Sequence, residues 1–228
     1  MYENNTEDIL CSRIEYTMLS LVSNKIKILI VGGGRAAFIK AKTFVKRGCI
    51  VTVLSKEFIA EFHELEKNNN LELVYGQYEK SYMLDKHIVV IATNCENTNQ
   101  SIRSHCDEIA KLYVDCTIPD KGLCITPCQR ESNNVFFGLH TLKGNPKMSV
   151  FLADKIDIEL KKYKDFIEFT SSIRNKLRGY RDSKEILNFI CSDDFYFFYI
   201  KGKHKTVLEL FYDETVLESI ALKSWDGD

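Results

Sequence analysis

Along the first half of the chain, short apolar runs alternate with stretches whose apolar residues recur at helical spacing. Residues 26–31, 49–54, 71–75, 87–92 and 112–117 are runs of the first kind, the pattern of strands buried on both faces. Between them, residues 35–47 carry Ala36, Ile39, Lys40, Thr43 and Phe44 on a helical period, and 57–66 and 95–110 read as further helices. Strand alternating with helix predicts an α/β fold built on a Rossmann-like, doubly wound parallel sheet.

Beyond Pro119 the texture changes. Two short extended pieces, 123–126 and 134–139, precede a long amphipathic run from Pro146 through Ile158, Leu160 and Tyr163. Further helices are expected to begin near Ser171, Asp182 and Ser192, with Asp182 and Glu185 spaced as in a capping box. The expected division is a lead-in over 1–23, an α/β domain over 24–119, an extended segment over 120–146 and a helical C-terminal domain over 147–228. Near the end, the aromatics 195–199 stand before Lys201, Lys203, His204 and Lys205. Such a cluster can stack nucleic-acid bases, but five consecutive aromatics behind Ser192-Asp193-Asp194 are read as packing of the last helices.

Composition narrows the function classes. At 228 residues and 45% hydrophobic, the chain is long enough for a substantial core. Its formal net charge of −1 gives no bulk attraction to nucleic acid or membrane, so neither is an expected partner. Eight cysteines, including Cys11 and Cys49, lie in an α/β pattern without zinc spacing, since Cys124 and Cys128 have no second pair. They read as reduced thiols of a cytoplasmic protein with no metal site. The first apolar run, 9–22, is broken by Arg13 and Glu15, and nothing has the length of a membrane span or the form of a signal peptide.

The most informative stretch is KILIVGGGRAAFIKAKTFVKRG, residues 27–48. Gly32, Gly34 and Ala37 give the spacing G-x-G-x-x-A between a strand and a helix, where the chain turns tightly and a pyrophosphate approaches the backbone. Gly33 completes the turn, and the first amides of the helix, at Arg35, Ala36 and Ala37, would face the phosphates. The α/β domain is thus expected to bind a dinucleotide. Where such a site usually ends its second strand in an acid for the ribose hydroxyls, this chain has Ser55-Lys56. Ser55 can bond a hydroxyl and Lys56 tolerates a 2′-phosphate.

The run YTMLSLVSNKIKILIVGGGRAAFIKAKTFVKRGCIVTVLSKEF resembles the opening of the precorrin-2 dehydrogenase family, the dehydrogenase/ferrochelatase part of siroheme synthases. Residues 89–94, ending in Thr93 and Asn94, resemble the family's fourth strand, and 113–127 its fifth strand and proline-bearing crossover. The resemblance implies NAD as cofactor, with Thr93 and Asn94 beside it, and oxidation of precorrin-2 to sirohydrochlorin; in some members ferrous iron is then inserted. It also implies a homodimer, with the extended segment 120–146 serving dimerisation and the tetrapyrrole cleft.

The resemblance also locates departures. The family's fifth strand ends in an Asp held to serve both reactions, and the matching position here is Thr117. Two residues back on a strand lies Asp115, on the same face by strand geometry. Three readings stand: Asp115 takes over the role, orientation of substrate against nicotinamide suffices, or the fold is kept without the reaction. Where family members commonly carry serines and a pair of glycines stand His140, Thr141, Leu142, Lys143, Gly144 and Asn145. Thr141 occupies the position of a cleft-lining serine, His140 is a candidate proton carrier because an unperturbed imidazole titrates near neutrality, and Lys143 could pair with a carboxylate arm of the substrate. The expected function is NAD-dependent precorrin-2 dehydrogenation with ferrochelatase activity weak or absent. The alternative is a catalytically silent NAD- or tetrapyrrole-binding protein.

Overall fold

A computed structural model describes residues 15–220, except for the side chain of Ser219. Cys11 and the start of the first apolar run lie outside them. The chain forms two compact units, one up to Thr126 and one from Pro127 onward.

The first unit is the expected Rossmann-like sheet. Its strands are β1 (Lys27–Val31), β2 (Ile50–Ser55), β3 (Leu71–Tyr75), β4 (Ile88–Ile91) and β5 (Leu112–Asp115). They lie in the order β3-β2-β1-β4-β5, every pair parallel. The central strands are apolar along their length because both faces are covered. Ile28, Ile30, Val51, Val53 and Val90 pack on one side, and Leu29, Leu54, Val89 and Ile91 on the other.

Helix α1 (Arg35–Lys46) follows the glycines but buries Ala37, Ala41 and Val45. The expected face is therefore rotated, and Ile39 is exposed. Small residues at i, i+4 and i+8 let the helix lie close on the strands it must follow without delay. The expected helix 57–66 shortens to α2 (Glu61–Leu65). Residues 56–60 are spent on the loop that closes over the glycine turn, where the Ile59 amide donates to the Gly33 carbonyl. Helix α3 (Glu96–Glu108) faces the sheet with Ile102 and Cys106.

Strand β5 stops at Asp115 rather than reaching 117, because the Asp115 carboxylate accepts the Thr117 and Ile118 amides. Such a local side-chain bond competes with the ladder and turns the chain.

In the second unit, β6 (Cys128–Ser132) and β7 (Val135–Leu139) form an antiparallel hairpin. The expected extended piece 123–126 forms no strand. Asn133, at φ +49°, turns the hairpin immediately after residue 132, so its partner strand lies at 128–132. Helix α4 (Pro146–Lys161) packs on this hairpin and is capped by Asn145, which accepts from the Met148 amide.

The remaining helices are α5 (Lys164–Lys176), α6 (Ser183–Ile190), α7 (Asp193–Ile200), α8 (His204–Phe211) and α9 (Glu214–Ser219). Helix α5 starts earlier than Ser171, and Asp182 makes no capping bond to α6. Ser192 does cap α7, accepting from the Phe195 amide. In α7, Phe195 is fully buried against Phe166, Phe169 and Phe189, whereas Phe197 and Phe198 stay exposed. The aromatic cluster thus supplies core on one face only.

Candidate functional site

Three consecutive glycines serve three different ends. Gly32 has φ +131°, a region that side chains rarely enter, and a Cβ there would run into the Ala92 carbonyl at the end of β4. Its amide donates to the Leu54 carbonyl at 2.9 Å. At Gly33 a Cβ would strike the Glu57 carbonyl and stand 2.7 Å from Ser55 Oγ. Gly34 is different: a Cβ there meets nothing within 4 Å. Two glycines are needed for the chain's own packing, and the third leaves open space.

That space lies at the N-terminus of α1. Gly34 is its N-cap and offers no side-chain hydrogen bond to the first amides. Helix N-termini left in this state carry partial positive charge and bind anions. Arg35 and Ala36 are exposed there, and Ala37 is buried against the sheet. The C-terminal ends of β1 and β4, where the strand order reverses, are where open parallel sheets bind ligands.

The neighbouring loops are held by their own bonds. After β4, the Thr93 hydroxyl donates to Asn99 Oδ1 at 2.6 Å and accepts from the Cys95 amide at 3.1 Å. Asn99, buried in α3, returns a bond to the Thr93 carbonyl. Thr93 therefore fixes the β4–α3 loop, and Asn94 is exposed on it. After β2, Ser55 is half-buried against the glycine turn and Lys56 is exposed.

Asp115 sits in a closed pocket of donors. Its side chain is 0% exposed, and its Oδ2 accepts from Arg103 Nε at 2.7 Å. Oδ1 accepts from the Thr117 amide at 2.7 Å, the Thr117 hydroxyl at 2.6 Å and the Ile118 amide at 2.9 Å. Burial pushes this carboxyl up, but the bonds from Thr117, Ile118 and Arg103 outweigh it and hold the group below the usual carboxylate range. Thr117 is exposed at the edge of this network, and Arg103 Nη2 approaches its Oγ1 at 3.4 Å. Arg103 also donates to Glu96 at 2.7 Å, which ties β5 to the start of α3.

The sequence reading missed Arg103. Its signal is a charged residue beside Ile102 and Cys106 on the buried face of a helix, seven positions from an acid.

The other expected site residues belong to the second unit. His140 is half-buried at the end of the hairpin. The Thr141 hydroxyl accepts from the Asn145 amide at 2.8 Å and lies 3.3 Å from Ser149 Oγ, so it organises the start of α4. Lys143 is exposed. Among the described residues, no group of three or more His, Cys, Asp or Glu is placed to hold a metal ion. No helix among them is long and apolar enough to cross a membrane.

A parallel sheet, a glycine turn with its third position open, and an uncapped helix behind it define a dinucleotide-binding protein of the Rossmann type. Residues 19–128 match the model of a family described as putative NAD(P)-binding. Siroheme synthase from Psychrobacter arcticus is 29% identical over 133 residues, covering 58% of this chain and 24% of that protein. Siroheme synthase from Yersinia pestis is 35% identical over 132 residues, covering 57% and 27%. Precorrin-2 dehydrogenase from Priestia megaterium is 22% identical over 173 residues, covering 74% and 85%. The solved structure of SirC, precorrin-2 dehydrogenase, superposes with a TM-score of 0.65 at 19% identity, covering 90% of this chain and 99% of that one. Residues 19–128 thus resemble that NAD(P)-binding family, and siroheme synthases and precorrin-2 dehydrogenases are among the proteins this chain is similar to. The expected resemblance is borne out. The chain spans about a quarter of the length of the siroheme synthases it matches.

Proposed function

We propose that this protein is an NAD-dependent dehydrogenase that oxidises precorrin-2 to sirohydrochlorin, with little or no ferrochelatase activity. The observation that carries the reading is the open Gly34 turn before the uncapped α1, in a chain whose relatives are named for this chemistry.

The residues present fit the cofactor. The Arg35, Ala36 and Ala37 amides would receive the pyrophosphate, Ser55 a ribose hydroxyl, and the loop of Thr93 and Asn94 the nicotinamide half. Bound there, the nicotinamide would supply the hydride acceptor. The chain's own part is positioning. Thr93, fixed by Asn99 and Cys95, holds the β4–α3 loop in one conformation, and Arg103 holds the end of β5. Lys143, exposed in the second unit, would pair with a carboxylate arm of the substrate, and His140 would carry a proton.

The state of Asp115 supports orientation over acid-base help. A general base must present a free lone pair to the proton it takes, and both oxygens of Asp115 are engaged inside the protein. Thr117 offers a hydroxyl where metal insertion calls for a carboxylate or imidazole. The test is anaerobic incubation with precorrin-2 and NAD, then with sirohydrochlorin and ferrous iron. NADH with sirohydrochlorin and no accelerated siroheme formation is expected. Failure to form NADH while precorrin-2 is bound would favour a silent binding protein, the reading that the sequestered Asp115 also permits.

A homodimer is part of the proposal. On α4, Val150, Phe151 and Ile158 are exposed along one side, as is Phe136 on β7. An apolar face of this kind, on a helix packed against a two-stranded sheet with open edges, is suited to a second copy. Cytoplasmic residence is proposed from the reduced state of seven described cysteines.

A further inference from the structure

One helix holds the chain at the ends of two neighbouring strands. Along α3, Glu96, Asn99 and Arg103 stand at i, i+3 and i+7 and so share a face. Asn99 and Arg103 are 1% and 7% exposed, unusual burial for such side chains. Asn99 accepts from the Thr93 hydroxyl and donates to the Thr93 carbonyl at 3.1 Å, beyond β4. Arg103 reaches Asp115 and Thr117 at the end of β5 and bonds back to Glu96 in the first turn of its own helix. The two strand ends are adjacent, since Ile91 pairs with Asp115 and the Cys116 amide donates to the Ile91 carbonyl at 2.9 Å. Thr93 and Thr117 each stand two residues past that pair, at the sheet end that carries the glycine turn; a Cβ on Gly32 would lie 3.2 Å from the Thr93 nitrogen.

The bonds around Asp115 fix the direction of the Thr117 hydroxyl. Arg103 Nε, at 2.7 Å from Oδ2, keeps the carboxyl ionised, and an ionised carboxylate only accepts. In the 2.6 Å contact between Thr117 Oγ1 and Asp115 Oδ1 the proton is therefore the threonine's, and it points inward. A hydroxyl has one proton and two lone pairs. Thr117 is exposed, so what it offers outward is an acceptor, strengthened by the charge behind it. Arg103 Nη2, at 3.4 Å from the same oxygen, holds it from the side.

We propose that Arg103 and Asp115 are positioning residues that make the Thr117 hydroxyl a fixed hydrogen-bond acceptor for a ring N–H of the tetrapyrrole. The substrate is then oriented at the end of β5, one strand from the loop of Thr93 that borders the cofactor. This rests on the dehydrogenase reading and names what orients its substrate.

The experiment is anaerobic absorbance titration with sirohydrochlorin, alongside NADH formation from precorrin-2 and NAD, on the wild type, Thr117→Val, Thr117→Ser, Arg103→Lys and the Thr117→Val, Arg103→Lys double variant. Thr117→Val is expected to weaken sirohydrochlorin binding about tenfold, the worth of one hydrogen bond, and to lower kcat/KM for precorrin-2 by a like factor. Its NAD affinity should stay unchanged. Thr117→Ser keeps the hydroxyl and should restore both. Arg103→Lys keeps the charge but not the fork that spans Asp115, Glu96 and Thr117, so it should also weaken sirohydrochlorin, with no further loss in the double variant. Both Thr117 variants change an exposed residue and carry the test should Arg103→Lys fail to fold. Unchanged sirohydrochlorin affinity in Thr117→Val, or losses at 103 and 117 that simply add, overturns the positioning role. A wild type that binds sirohydrochlorin through Thr117 but forms no NADH overturns the dehydrogenase reading alone. A folded wild type that binds no tetrapyrrole overturns both.

Discussion

Arg103 and Asp115 form an ion pair at 2.7 Å, Nε to Oδ2, with the carboxylate wholly buried and the arginine side chain 9% exposed. The pair joins the middle of α3 to the last residue of β5, at the edge of the sheet where ligands are expected. Removing one member of a buried pair leaves the other charge uncompensated, at a cost of about 3–5 kcal/mol. Arg103→Ala is therefore expected to lower the thermal midpoint strongly. Asp115→Asn keeps the shape but loses the charge, and is expected to destabilise less while turnover per folded molecule persists. Melting curves alongside rates corrected for folded fraction separate this from a catalytic role, which would show as lost turnover in a stable protein. The same carboxylate makes stability fall in acid. Its pKa is depressed in the folded state, so its contribution is full above the unfolded value of 3.8 and is lost as pH falls through the lower folded value.

Gly34→Asp should divide binding from stability. The backbone there, φ −89° and ψ −170°, suits any residue, and a Cβ meets nothing. Aspartate is also a favourable N-cap, worth about 0.5–2 kcal/mol. The variant is expected to melt at the same temperature or higher, yet bind NAD at least about tenfold more weakly, because its carboxylate occupies the pyrophosphate's place. Unchanged affinity by calorimetry would remove the glycine turn from the site.

Thr117→Asp would set a second carboxylate beside the first, since Thr117 Oγ1 lies 2.6 Å from Asp115 Oδ1. Two acids that close do not both ionise freely, and the more exposed one is expected to titrate above its ordinary range. The variant should be less stable than the wild type. If a carboxylate at this point is what metal insertion lacks, it should form siroheme from sirohydrochlorin and ferrous iron faster than the wild type under anaerobic assay.

His204 makes the helical unit sensitive to mild acid. Its ring packs edge-on to Phe169 at 5.1 Å and against Tyr199 at 5.1 Å, and Nδ1 is buried without a hydrogen-bond partner. Burial lowers its pKa from 6.5. The unfolded chain therefore binds the proton more readily, and this contribution to stability is full above 6.5 and declines as pH drops below it. Thermal melts between neutral pH and pH 5 should show a slope that His204→Leu reduces.

The sheet is legible in the sequence because parallel strands buried on both faces must be continuously apolar, as at 26–31 and 87–92. The glycine turn is legible for the same kind of reason, one residue type answering one steric demand. What escapes is set by contacts distant in sequence. Periodicity alone does not choose between Ile39 and Ala41 for the buried face of α1; the need to lie close on β1 does. Asp115 is visible as an acid at a strand end, but its engagement depends on Arg103, and only the fold brings the two together. The hairpin shifts from 123–126 to 128–132 because Asn133 adopts the turn conformation, a choice that a pair of asparagines leaves open.

The strand order carries a consequence for how the chain acquires its structure. Central β1 is flanked by β2 and β4, so Ile28 must find Ile88 across the intervening β2, β3 and two helices before the sheet has a middle. The helices from α5 onward meet near neighbours in the chain, α6 against α7 and α8 against α9. Local contacts form quickly and crossover pairing slowly. Refolding from denaturant should therefore recover helical signal in an early phase, with nucleotide binding returning only in a later one, when β4 docks and closes the turn around Gly32.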